Sequence, residues 1–86
     1  MSLDPAVAAL MLASVGLRNT FARRATVIAL YGERSISHAE ACEAVPEVHR
    51  ATVYRALGDI TRAGLARRYA GEDCVWRWSP CEPPTP

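Results

Sequence analysis

Lysine is absent from this 86-residue chain, and all ten basic residues are arginine. A guanidinium makes forked contacts to phosphate and guanine that an ammonium does not. Base composition alone can remove lysine, so the absence carries little weight by itself. Cysteine is scarce and odd in number. Cys42, Cys74 and Cys81 cannot close a disulfide set, and no C-x-x-C spacing marks a structural zinc. A reducing, cytoplasmic compartment is the expectation. Apolar runs stop short of about 18 residues, which excludes a transmembrane helix. No basic flank precedes an apolar stretch at the N-terminus, so no secretory leader is expected. There is no Gly-rich phosphate loop, and Ser, Cys, His and carboxylate residues occur singly. The chain is not expected to be an enzyme, and no catalytic residue is assigned. No internal repeat is present.

What the chain does contain fits one small soluble domain: half its residues are hydrophobic and 22% are charged. The net charge of +1 conceals a pattern. Arg18, Arg23 and Arg24 form a first basic stretch. Glu33, Glu40, Glu43 and Glu47 stand against Arg34 alone in the next. Residues 49–77 then carry six arginines against Asp59, Glu72 and Asp73. Two basic stretches bracket an acidic one.

Punctuation along the chain is clear. Asp4-Pro5 opens a nearly all-apolar helix over 5–15, stopped by Gly16. Thr20 caps a second helix over 21–31, ending at Gly32. Ser37-His38-Ala39-Glu40 reads as a capping box for a short third helix, 38–45, closed by Pro46. A fourth helix runs over 50–63, with Val53, Leu57 and Ile60 as its apolar stripe and Thr52, Arg55, Asp59 and Arg62 opposite. Residues 65–69 and 74–78 read as two strands with a turn at Gly71-Glu72-Asp73. The predicted fold class is α+β, mainly α: about four helices followed by a two-stranded β-wing, a winged helix-turn-helix over residues 1–78. Residues 79–86 contain four prolines and read as a disordered tail.

The segment Ala51-Thr52-Val53-Tyr54-Arg55-Ala56-Leu57 contains A-T-V-Y-R-x-L, and Ala63-Gly64-Leu65 leads from it into the hairpin. Upstream stands Gly16-Leu17-Arg18-x-Thr20-x-x-Arg23. In this order and spacing the chain resembles the DNA-binding half of the ferric uptake regulator (Fur) family of bacterial metalloregulators, over residues 5 to 78. The resemblance implies a DNA-binding transcription regulator, a repressor for example, whose fourth helix reads the major groove of double-stranded DNA. Tyr54 and Arg55 match the family's main groove-facing residues. Thr52 has the chemistry to bond a phosphate or meet a thymine methyl. Arg18, Thr20 and Arg23 lie at the entrance to the second helix, and Arg68 at the start of the wing, all placed to hold the DNA backbone. Arg50 opposes the dipole of its own helix, a misfit that a phosphate would relieve. Each has a plainer role available: Tyr54 packing beside Val53, Arg55 pairing with Asp59, the others as solvated charges.

The chain also departs from that family. Members usually bind zinc or iron and continue into a second, dimerising domain, to which nothing here corresponds. The histidine ligand expected before the third helix is Ser35, and the glutamate ligand expected in the second wing strand is Arg77. No metal site and no cofactor are therefore predicted. Cys42 is expected in the core, Cys74 in a strand and Cys81 in the tail. Trp76 and Trp78 alternate in one strand, so their rings share a face that covers the first helix or meets a partner. Self-association would use that strand or the first helix. The alternative reading is a protein-interaction winged-helix module, an antagonist or adaptor of a transcription regulator. The low overall charge and acidic third helix favour it.

Overall fold

A computed structural model describes residues 3–81. Four helices and three strands follow in the order α1 (Pro5–Ser14), α2 (Phe21–Glu33), β1 (Ile36–Ser37), α3 (His38–Ala44), α4 (Arg50–Arg62), β2 (Ala66–Ala70) and β3 (Trp76–Pro80). Each helix start is set locally. The Asp4 carboxylate accepts the Ala6 N–H at 2.8 Å, and Thr20 Oγ1 accepts the Arg23 N–H at 3.2 Å. Ser37 and Glu40 form a complete reciprocal capping box. The ends of α1 and α4 are followed by Gly16 and Gly64, both with positive φ, at 75° and 90°. Only glycine adopts that backbone without a steric penalty.

Three helices end within one residue of expectation, and the remaining one runs further. Gly32 does not stop α2, which continues to Glu33. Arg34 takes the left-handed position at φ 66° and donates its N–H to Leu30 O at 2.7 Å. The last carbonyls were satisfied two residues later, and a glycine inside the last turn was tolerated.

The sheet is antiparallel in the order β1-β3-β2. The winged helix is as expected, but the sheet has three strands rather than two. The third is the dipeptide Ile36–Ser37, paired with Trp78 and Arg77. A two-residue strand has no alternation to display, and its hydrogen bonds come from a strand about 40 residues away. The hairpin is also shifted. β2 and β3 begin one and two residues later than predicted, with Ala66 opposite Pro80 and Ala70 opposite Trp76. Order therefore extends past residue 78: Ser79 and Pro80 lie in β3, and Cys81 N–H donates to Leu65 O at 3.0 Å. Proline is acceptable there because the strand ends at it. The remainder of the expected tail, 82–86, lies outside the described residues.

The core draws on every element: Ala8 and Leu12 from α1, Val27 and Leu30 from α2, Ile36, Ala41, the α4 stripe Val53, Leu57 and Ile60, then Ala66 and Trp78. Full burial of each α4 side chain contributes about 1.5–3 kcal/mol. That stripe is what fixes the opposite face of α4 toward solvent. α1 packs on α2 and leaves Val7 and Leu10 exposed. The two tryptophans differ in depth: Trp78 is in the core that Ala8 and Leu12 of α1 share, and Trp76 stays half exposed. Among the described residues no helix is long and apolar enough to cross a membrane.

Candidate nucleic-acid interface

His49 starts α4 as its N-cap, with Nδ1 accepting the Ala51 N–H at 3.1 Å. Arg50 follows at the first helical position, and no acidic residue lies in the first turn. The positive end of the helix dipole and the Arg50 guanidinium thus share one exposed end. Thr52, Tyr54 and Arg55 project from the next turn. Tyr54 is 48% exposed, and Arg55 is exposed and makes no hydrogen bond or ion pair among the described residues. Arg55 does not pair with Asp59, whose partners are Arg23 and Arg62.

Two clefts flank this helix. One, of about 350 Å³, is lined by Arg18, Thr20, Ala22, Arg23, Thr52, Arg55, Ala56 and Asp59. It gathers five of the eight predicted DNA-binding residues from two segments, 18–23 and 52–59, that are far apart in sequence. Their charges are not equally available. Arg18 and Arg55 are exposed. Arg23 is committed inside the protein: its Nε and Nη2 donate to Asp59 Oδ2 at 3.2 and 3.0 Å, and Nη1 donates to Arg18 O at 3.1 Å. It ties α2 to α4 and forms the floor of the cleft. Thr20 likewise spends its hydroxyl oxygen on the cap of α2.

The second cleft lies between α4 and the wing, with about 240 Å³ enclosed by Tyr54, Gly58, Thr61, Arg62, Arg68 and Trp78. Tyr54 does more than face solvent. Its ring meets Trp78 edge-on at 6.1 Å between centroids, and His38 edge-on at 5.2 Å. His38 Nε2 also lies 2.9 Å from Arg50 O. Neither support is visible in the sequence, because nothing local says that His38 and Trp78 converge on Tyr54. Arg68 rests over the Trp76 ring at 4.2 Å.

On the far face of the wing stand Ser35 and Arg77, at the positions where the family resemblance implies metal ligands. The Ser35 hydroxyl shares a hydrogen bond with that of Tyr69. Arg77 Nη1 lies 3.0 Å from Glu40 Oε1, and Nη2 lies 3.7 Å from Asp73. Glu40 Oε1 also accepts the Ser37 N–H at 2.9 Å. That N–H above all holds the Glu40 carboxyl below its ordinary value; partial desolvation opposes it, and the Ser37 hydroxyl and the Arg77 guanidinium add to the lowering. A fixed guanidinium repels a divalent cation, and a neutral hydroxyl ligates one poorly. These residues do not fit a transition metal. Among the described residues no three His, Cys, Asp or Glu side chains gather to hold one. The cysteines are free; Cys42 is half-buried against the core, while Cys74 sits in the hairpin turn at φ 62° rather than in a strand.

Two solved structures share this fold over most of the chain. The Vibrio cholerae ferric uptake regulator (Fur), whose DNA-binding domains are described as rearranging, is 25% identical with a TM-score of 0.77, over 86% of this chain and 61% of that one. The ferric uptake regulator from Pseudomonas aeruginosa, solved with manganese, is 27% identical with a TM-score of 0.79, over 88% of this chain and 61% of that one. The chain thus spans less than two thirds of either regulator. The sequence matches no protein-family model and no curated protein. The winged helix and the likeness to Fur structures are therefore shown in three dimensions, as well as in the motifs.

Proposed function

We propose that the chain is a DNA-binding regulatory domain of the Fur type, a binding rather than a catalytic protein, whose α4 reads the major groove. One observation carries this: Arg18, Thr52 and Arg55 converge on one cleft beside the acid-free N-terminal end of α4, with Tyr54 exposed on the next face. Arg55 would fork onto a guanine edge, and Thr52 and Tyr54 would meet thymine or backbone. Arg18 and Arg50 would hold phosphates on one side, and Arg68 on the other. Arg23 and Thr20 serve by building the cleft. The identity of Ser35 and the ion-paired Arg77 support binding that does not respond to zinc, iron or manganese. Self-association on a palindromic site would use the exposed Val7 and Leu10 of α1, since Trp78 is inside the core.

The test is selection from a random duplex pool, followed by sequencing of the bound fraction across a salt series. An enriched motif is expected, and a palindrome would report self-association. Weak binding without enrichment, vanishing near physiological salt, would contradict the proposal and favour the protein-interaction module.

A further inference from the structure

Trp76 is the largest exposed aromatic surface on the wing, 51% accessible, and it is not free-standing. Its strand alternation puts it on the same side of the sheet as Trp78, about 7 Å further out. Trp78 closes onto Tyr54 of α4 at 6.1 Å. Arg68 is opposite Trp78 in the ladder and lies over the Trp76 ring at 4.2 Å. Arg68 makes no hydrogen bond or ion pair among the described residues, so its donors remain available while its guanidinium carbon sits over the indole. The same Arg68 lines the cleft that Tyr54 and Trp78 border. Tyr54, Trp78, Arg68 and Trp76 therefore form one continuous line from the reading helix to the outer wing. The acids of the hairpin turn do not share it. Asp73 is turned to Arg77 on the other face and caps the Val75 N–H at 3.1 Å.

We infer that Trp76 and Arg68 form a paired backbone clamp for one strand of the duplex, with Arg68 on a phosphate and the Trp76 ring against the adjoining deoxyribose. The inference rests on the DNA-binding reading above. An indole face suits the apolar C–H surface of a sugar. A guanidinium already held over it loses little freedom when it takes a phosphate. Neither contact touches a base edge, so the clamp adds affinity uniformly across sequences and selects none. Arg68→Ala should lower affinity and reduce the salt slope by about one counterion. Trp76→Ala should lower affinity roughly 5- to 10-fold with little change in selected sequence, and Trp76→Phe should keep most of it.

The chain's two tryptophans permit a direct test, because one is buried and the other exposed. A labelled random-sequence duplex would be titrated while anisotropy reports binding and acrylamide reports tryptophan access. In free protein the quenchable emission belongs to Trp76, which the Trp76→Phe variant verifies by losing it. The clamp predicts that duplex binding shields this emission. Anisotropy that rises while quenching stays unchanged overturns the clamp and leaves the DNA-binding reading standing. Anisotropy that does not rise overturns both.

Discussion

The guanidinium of Arg23 is held against a single carboxylate oxygen of Asp59, across 36 residues of sequence, with both groups about one-fifth to one-quarter exposed. This pair bridges α2 and α4, and both residues line the cleft that carries Arg18, Thr52 and Arg55. A partly buried pair lies between the near-zero worth of surface ion pairs and the large cost of orphaning a buried charge. Asp59→Ala and Arg23→Ala should each lower stability by about 1–2 kcal/mol, read as an earlier urea midpoint. The double variant should cost much less than the sum. An Arg23→Ala protein of unchanged stability but reduced DNA affinity would return Arg23 to the backbone-contact role that its sequence position suggests.

Tyr54 and Arg55 are adjacent yet should separate in their effects. Arg55 is exposed and makes no hydrogen bond or ion pair among the described residues, so Arg55→Ala should leave the urea midpoint where it is while weakening specific DNA binding by about 1–3 kcal/mol. Tyr54 carries two edge-on aromatic contacts, so Tyr54→Ala should also destabilise the fold, by about 0.5–1.5 kcal/mol. Tyr54→Phe keeps the ring and should restore the stability without the hydroxyl. Equal stability losses for Ala and Phe would place the hydroxyl, not the ring, at the centre of that packing.

Glu40 gives the fold a pH dependence whose sign is fixed. Its carboxyl is lowered in the folded protein, chiefly by the Ser37 N–H and further by Arg77. A lowered carboxyl adds stability above its unfolded value, and that stability is lost as pH falls through the folded one. Glu40→Gln should therefore be less stable than the parent at neutral pH. The difference should close on acidification through the ordinary carboxylate range. A gap that stays constant with pH would assign the effect to packing rather than charge.

Arg77 makes the metal reading testable in both directions. Manganese should not raise the thermal midpoint of the parent protein, because the guanidinium already satisfies Glu40 and Asp73. Arg77→Glu replaces that cation with a third carboxylate. This variant should start less stable and should regain stability with added manganese. A manganese-dependent rise in the parent would show that ligands exist which the described residues do not display.

Local chemistry made most of this fold legible in advance. The caps at Asp4, Thr20 and Ser37–Glu40 act within three residues, so they read directly. The α4 stripe declared its own buried face, and with it the exposure of Tyr54 and Arg55. What stayed hidden depends on distant partners. β1 exists only because β3 supplies its hydrogen bonds. Arg23 and Asp59 each look solvated until two helices cross. Trp76 and Trp78 share a face by alternation, but alternation does not set depth; one is buried and the other half exposed.

The proposed contact of Arg55 on α4 with a base edge would carry sequence selection. The most direct measurement is a pair of random-duplex selections, one with the parent and one with Arg55→Ala, at the same salt concentration. The variant should lose preference at one guanine-containing base pair and keep the remainder of the motif. An identical motif from both proteins, differing only in overall affinity, would contradict it and make Arg55 a phosphate contact.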